Sequence, residues 1–128
     1  MIDPYMEYRR NSVMTASPEE LVLMLYNGII RFANEAKQAI DDKNIEKAHN
    51  SITRAQDIVL ELMATLDMQY DISKNLYSIY DFISRRLIDA NLKKDKKPLD
   101  EVISLITELR DTWGEAMGKV RAKVYSKG

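Results

Sequence analysis

The sequence contains no cysteine, one histidine, one tryptophan, three prolines and four glycines in 128 residues. Without cysteine there can be no disulfide framework, no thiolate zinc site and no cysteine nucleophile. The lone histidine, His49, follows Glu46 by three residues. Glu-x-x-His is half of a di-iron carboxylate motif, which needs a second such motif on another helix, and the chain has no second histidine to supply it. No Gly-x-Ser-x-Gly turn marks a serine nucleophile, and the scattered glycines build no phosphate-cradling loop. Neither sign of charge dominates: 19 Lys+Arg against 20 Asp+Glu give a net charge of −1 and a pI near 5.9. The basic excess that neutralises nucleic-acid phosphates is therefore missing. The longest apolar run, Leu21 to Tyr26, is six residues, where a membrane span needs about 20. The first residues also lack the basic and apolar regions of a signal peptide. These absences predict a soluble, cytoplasmic protein without enzymatic activity. They predict no metal or other cofactor, no nucleic-acid or small-molecule partner, and no membrane insertion.

What the chain does have is helix. Apolar residues make up 45% and charged residues 30%, a globular composition at a length suited to one domain. Ser17-Pro18-Glu19-Glu20 is a capping box with proline at the first helical position, where its missing N–H is harmless. A helix is predicted from Pro18 to about Asp42, and a second from Ile45 to about Asp67 with Asn44 as its cap. A third is predicted from Ile72 to about Leu92, capped by Asp71, and a fourth from Pro98 to about Lys123. Apolar residues recur at threes and fours, as in Ile52, Ala55, Val59, Leu62 and Leu66, and nothing alternates with the period of a strand. Short connections favour antiparallel neighbours. The predicted fold is all-α: an antiparallel four-helix bundle over residues 17–128. It stands behind an N-terminal arm, residues 1–16, long enough for a fifth short helix.

Several polar features have plain structural explanations. Lys93-Lys94-Asp95-Lys96-Lys97 reads as a solvated loop whose first lysines complement a helix C-terminus. Trp113 and Met117 read as core, His49 as a helix flank, and Gly28 as a point of close helix approach. Apolar residues that miss the stripes are more informative. At 100° per residue, Leu60 lies roughly 120° from the centre of its stripe, and Tyr77 and Ile88 lie a similar or larger angle off theirs. Leu23 and Ile30 point away from the first helix's main stripe, with Tyr26 on the flank. Leu23, Tyr26, Ile30, Leu60, Met63, Tyr77 and Ile88 are therefore the candidate partner-binding residues. The arm carries Tyr5, Met6, Tyr8, Val13 and Met14. It reads either as a flexible tail or as a detachable flap over the groove, and pattern alone leaves both open.

Ser17 to Leu21 and Leu25-Tyr26-Asn27-Gly28 are similar to the opening of the flagellin export chaperones, the FliS family. The resemblance continues through Ala55-Gln56-Asp57-Ile58, Glu61-Leu62 and Leu66-Asp67. It runs on through Asn75-Leu76, Tyr80-Asp81, Leu87, Ala90-Asn91 and Leu109-Arg110-Asp111 with Trp113. Asn27 departs from it, standing where the family more usually has an acid. The resemblance implies a small helical-bundle chaperone of the bacterial cytosol. Its client would be the disordered C-terminal segment of flagellin, kept from premature polymerisation and presented to the flagellar export gate. It also implies that an N-terminal tyrosine, Tyr5 or Tyr8 here, covers an apolar pocket until the client arrives. Two other readings fit the residues alone: a helical adaptor for another flagellar client or regulator, and a structural bundle that self-associates through its extra apolar faces.

Overall fold

The structure, a computed structural model, describes residues 16–126, with side chains described for 16–119. Four α-helices follow one another: α1 (Pro18–Asp41), α2 (Ile45–Ala64), α3 (Asp71–Lys93) and α4 (Lys96–Ser126). The all-α expectation holds over these residues. The arm, with Tyr5 and Tyr8, lies outside the described residues.

Local chemistry accounts for the helix ends. The Ser17 hydroxyl accepts from the Glu20 N–H at 3.2 Å, and the Asn44 side chain accepts from the Lys47 N–H at 3.1 Å, so both predicted caps form. α2 stops at Ala64, three residues short of the predicted Asp67. There the Thr65 hydroxyl donates to the Leu62 carbonyl at 2.7 Å, and Asp67 accepts from the Gln69 N–H at 3.0 Å. Those side chains offer the backbone partners outside the helix. The cap predicted at Asp71 is displaced: Tyr70 takes the N-cap position with no side-chain bond, and Asp71 is the first helical residue. There its carboxylate still faces the positive end of the helix dipole. α4 begins two residues before Pro98, leaving the proline in the first turn, where no hydrogen bond is lost. The lysine-rich loop shrinks to Lys94-Asp95, and Lys94 Nζ donates to the Asn91 carbonyl at 2.6 Å, a last-turn acceptor.

The helices close into a ring in which each packs on its sequence neighbours and α1 packs on α4. Lys37–Asp100 (2.5 Å) and Lys96–Asp41 (2.6 Å) set the end of α1 beside the start of α4. Trp113 Nε1 donates to the Glu19 carbonyl at 3.0 Å, setting the start of α1 beside the later part of α4. The Asn91 amide donates to His49 Nδ1 at 3.0 Å and, with Arg86–Glu101 at 2.7 Å, fixes the antiparallel order around the other side. Exposed pairs of this kind each add about 0–1 kcal/mol; the apolar interior supplies most of the stabilisation. Ile29, Ile52, Val59, Leu62, Ile83, Leu87, Leu99, Val102 and Ile106 are essentially inaccessible. Gly28, Ala33, Ala36 and Ala39 on α1 and Ala48, Ser51 and Ala55 on α2 keep buried surfaces small. A Cβ added at Gly28 would stand 3.0 Å from Ile58 Cδ1, so the expected close approach occurs there.

Candidate binding site

At the end of the ring where residue 16 enters α1, residues of all four helices line a cavity of about 400 Å³. Val22 and Leu25 of α1, Leu62 and Leu66 at the end of α2, Leu76 of α3 and Trp113 of α4 give it an apolar wall. Pro18, Glu19 and Ile72 stand at its margin, Ile72 with 64% of its surface exposed. The cavity exists because the core stripes of α1, α2 and α3 run to the helix ends, where nothing among the described residues covers them. Pattern assigned Leu66 and Trp113 to the core, and both, with Leu76, do pack against it. Periodicity registers which face is apolar but not where along the axis the bundle runs out of neighbours.

Tyr26 and Tyr80 form the polar element of this cavity wall. Their hydroxyls lie 2.6 Å apart across the core, the rings 6.5 Å between centroids and tilted by 54°. Burial raises the pKa of both phenols above the ordinary value; the shared hydrogen bond partly offsets this at Tyr26 and adds to it at Tyr80. Neither phenol ionises near neutral pH, so the pair is a neutral hydrogen bond inside an apolar end.

The sequence-predicted partner residues separate into three places. Tyr26 is not on an outer face: it is 2% exposed, its side chain turned into the core, where its hydroxyl meets that of Tyr80 on α3. Leu23 and Ile30 are half-buried on the side of α1 that also carries Glu19 and Lys37, the residues joined to Trp113 and Asp100 of α4. They belong to the α1/α4 seam. Leu60, Tyr77 and Ile88 are exposed, and Met63 is half-buried against the core. On their helices these share a side with His49 and Asn91, the pair that bridges α2 and α3. They line the α2/α3 seam, which lies across the ring from the α1/α4 seam. The structure thus places the predicted set on two opposite seams, with Tyr26 in the core between them.

Pattern also missed a groove between α1 and α2, about 550 Å³, floored by Leu21, Met24, Leu25 and Ile58 around Gly28. The signal was present, since Gly28 interrupts an otherwise large-residue stretch of α1. Arg31 and Arg54 lie 4.6 and 5.6 Å from the centroid of the Phe32 ring at one end of it. Among the described residues no cluster of His, Asp or Glu could hold a metal ion, and no helix is long and apolar enough to cross a membrane.

A helical bundle with an open apolar end and uncovered apolar seams is suited to holding another polypeptide. Comparison with known proteins gives its family. The family model described as flagellar protein FliS matches residues 1–120. The chain belongs to the FliS family. The flagellar secretion chaperone FliS of Bacillus subtilis is 40% identical over 126 residues, covering 98% of this chain and 95% of that one. The flagellar secretion chaperone FliS of Escherichia coli is 31% identical over 110 residues, covering 84% and 81%. A solved structure described as a flagellar chaperone from bacteria superposes with a TM-score of 0.76 over 91% of this chain and 99% of its own. At 19% identity that likeness bears on the fold, and it supports the FliS bundle. The motif-level resemblance from Ser17 to Trp113 is therefore a true family relationship. The family match also takes in residues 1–15, which lie outside the described residues.

Proposed function

We propose that this flagellar secretion chaperone binds the C-terminal segment of flagellin in the cytoplasm, prevents its premature polymerisation and delivers it to the flagellar export gate. The observation that carries this reading is the apolar cavity at the end of the ring where residue 16 enters α1. A segment made to pack against other copies in a filament has an amphipathic face that needs a substitute partner beforehand. Grooves that accept apolar side chains at three- and four-residue spacing supply one. Ordering a disordered client costs about 2–5 kcal/mol, so the contact must extend beyond one cavity. Leu60, Met63, Tyr77 and Ile88 on the α2/α3 seam, with Leu23 and Ile30 on the opposite one, extend it. Tyr5 and Tyr8 are the proposed cap. Fifteen residues precede the described chain, a length that spans up to ~50 Å when extended, so the arm is long enough to reach the cavity.

The test is calorimetric titration with a peptide of the host flagellin's last ~50 residues, a length covering several helical segments at about 1.5 Å per residue, with circular dichroism alongside. Submicromolar binding, gained helicity and a negative heat-capacity change are expected for folding on an apolar surface. No binding by the folded protein overturns the flagellin assignment. If the arm competes with the client, deleting residues 1–12 leaves affinity unchanged or tighter; a loss of about a hundredfold would make the arm part of the client's own site.

A further inference from the structure

The α1/α2 groove has a feature that the end cavity lacks: its charges are sorted along its length. Arg54 stands at one end over Phe32, beside Arg31, which also pairs with Glu35 at 3.9 Å, while Asp57 and Glu61 follow one and two turns further along α2. Arg54 to Glu61 is seven residues of α2, two helical turns or about 10 Å. Among the described residues Arg54, Asp57 and Glu61 have no ion-pair partner, and all three are exposed. Between the charged ends lies the apolar floor, deepened because Gly28 contributes no side chain; even a methyl there would press on Ile58 at 3.0 Å. The groove therefore offers apolar contact in the middle, cations at one end and carboxylates toward the other.

We propose that this groove seats one amphipathic helix of the client segment, oriented by charge. The docked helix carries an acidic residue in its first turn beside Arg31 and Arg54. It carries a basic residue about seven positions later beside Asp57 and Glu61, and apolar residues between them face the Gly28 floor. It runs in the direction of α2. An acid in the first turn and a base in the last also complement the helix's own dipole, so the partner's backbone and the groove favour the same direction. The opposite direction would require a helix with its charges set against its own dipole. The identity of the partner rests on the flagellin reading above; the groove, its charge order and the direction rest on the residues named here.

The experiment titrates the same flagellin peptide into the full chain and into Arg54→Glu, Asp57→Lys/Glu61→Lys and the control Lys74→Glu, an exposed residue on α3. Each groove reversal should weaken binding about tenfold or more by setting like charges together, with the unfolding midpoint unchanged, and the control should bind as wild type does. If wild type binds and the groove reversals bind equally well, the groove is not used and the flagellin reading stands. If wild type itself fails to bind, that reading falls and this one with it. Direction is tested separately, helped by the absence of native cysteine. A nitroxide on Asn50→Cys, near the arginine end, should broaden resonances of the docked helix's first turn. One on Ala64→Cys, fourteen residues further along α2, should broaden its last turn. The reverse pattern overturns the orientation.

Discussion

Tyr26 and Tyr80 show how a single pair of side chains can decide the character of an end of a bundle. Two phenols 2.6 Å apart satisfy one another in the buried wall of the cavity, and burial keeps both protonated. The folded-state pKa of each lies above its ordinary value of 10.0. Their contribution to stability is then complete below about pH 10 and is lost as pH rises beyond it, since only the unfolded chain ionises them there. Alkaline unfolding should begin near that pH. Tyr26→Phe/Tyr80→Phe should flatten the loss, read as the unfolding midpoint in denaturant against pH. At neutral pH either single Phe variant leaves one buried hydroxyl without its partner, about 1–3 kcal/mol. The double variant should then cost less than the sum of the singles. Additive costs would show that the hydroxyls do not depend on each other. Pattern could not supply this pairing: Tyr26 appears there as a flank residue, and only the closing of the ring brings Tyr80 opposite it.

At the scale of the element, the helices were legible to within a few residues because their signals are local. Ser17 and Asn44 cap where the sequence says they should, and period-3.6 stripes mark the buried faces. The misses have physical causes. α2 ends early because Thr65 and Asp67 hydrogen-bond to nearby backbone, and α3 starts at Asp71 with Tyr70 before it. Two helix ends turn through left-handed residues that are not glycine, Lys43 at φ 59° and Lys94 at φ 49°. Each such residue carries a strain of about 1 kcal/mol that glycine avoids. Lys94 offsets it, since its Nζ donates to both the carbonyl and the side-chain oxygen of Asn91 at 2.6 Å. Lys43 has no ion-pair or side-chain hydrogen-bond partner among the described residues. Lys43→Gly should therefore raise stability by about 0.5–1 kcal/mol in denaturant unfolding, whereas Lys94→Gly should gain less or lose. Equal gains at both positions would mean that the Lys94 bonds contribute nothing.

The whole molecule is asymmetric along its axis. At one end, the α1–α2 and α3–α4 connections are tight turns, and Lys37–Asp100, Lys96–Asp41 and Arg86–Glu101 tie neighbouring helices together. At the other end lie the longer connection from Thr65 to Tyr70, the entry of the chain and the apolar cavity. The candidate site was only partly legible because of this asymmetry. Leu60, Tyr77 and Ile88 announce themselves as off-stripe residues, but which apolar residues lie beyond the last neighbouring helix depends on where each helix ends relative to the others. Local opening follows the density of buried contacts. Amide hydrogens in the first turns of α1 and α3 and the last turn of α2 should therefore exchange faster than those in the middle turns, and peptide binding should slow them selectively. Uniform slowing along all four helices would place the occupant elsewhere.

That stitched far end has a mechanical consequence. A segment seated at the cavity and drawn away along the axis meets its contacts one at a time, so it peels. A load that spreads the ring sideways instead meets the turns and the ion pairs together, and is resisted by all of them at once. The bundle is thus compliant in the direction in which a client would leave and stiff in the direction that would unfold it. Pulling on the cargo could strip the chaperone bare while leaving it folded for the next one.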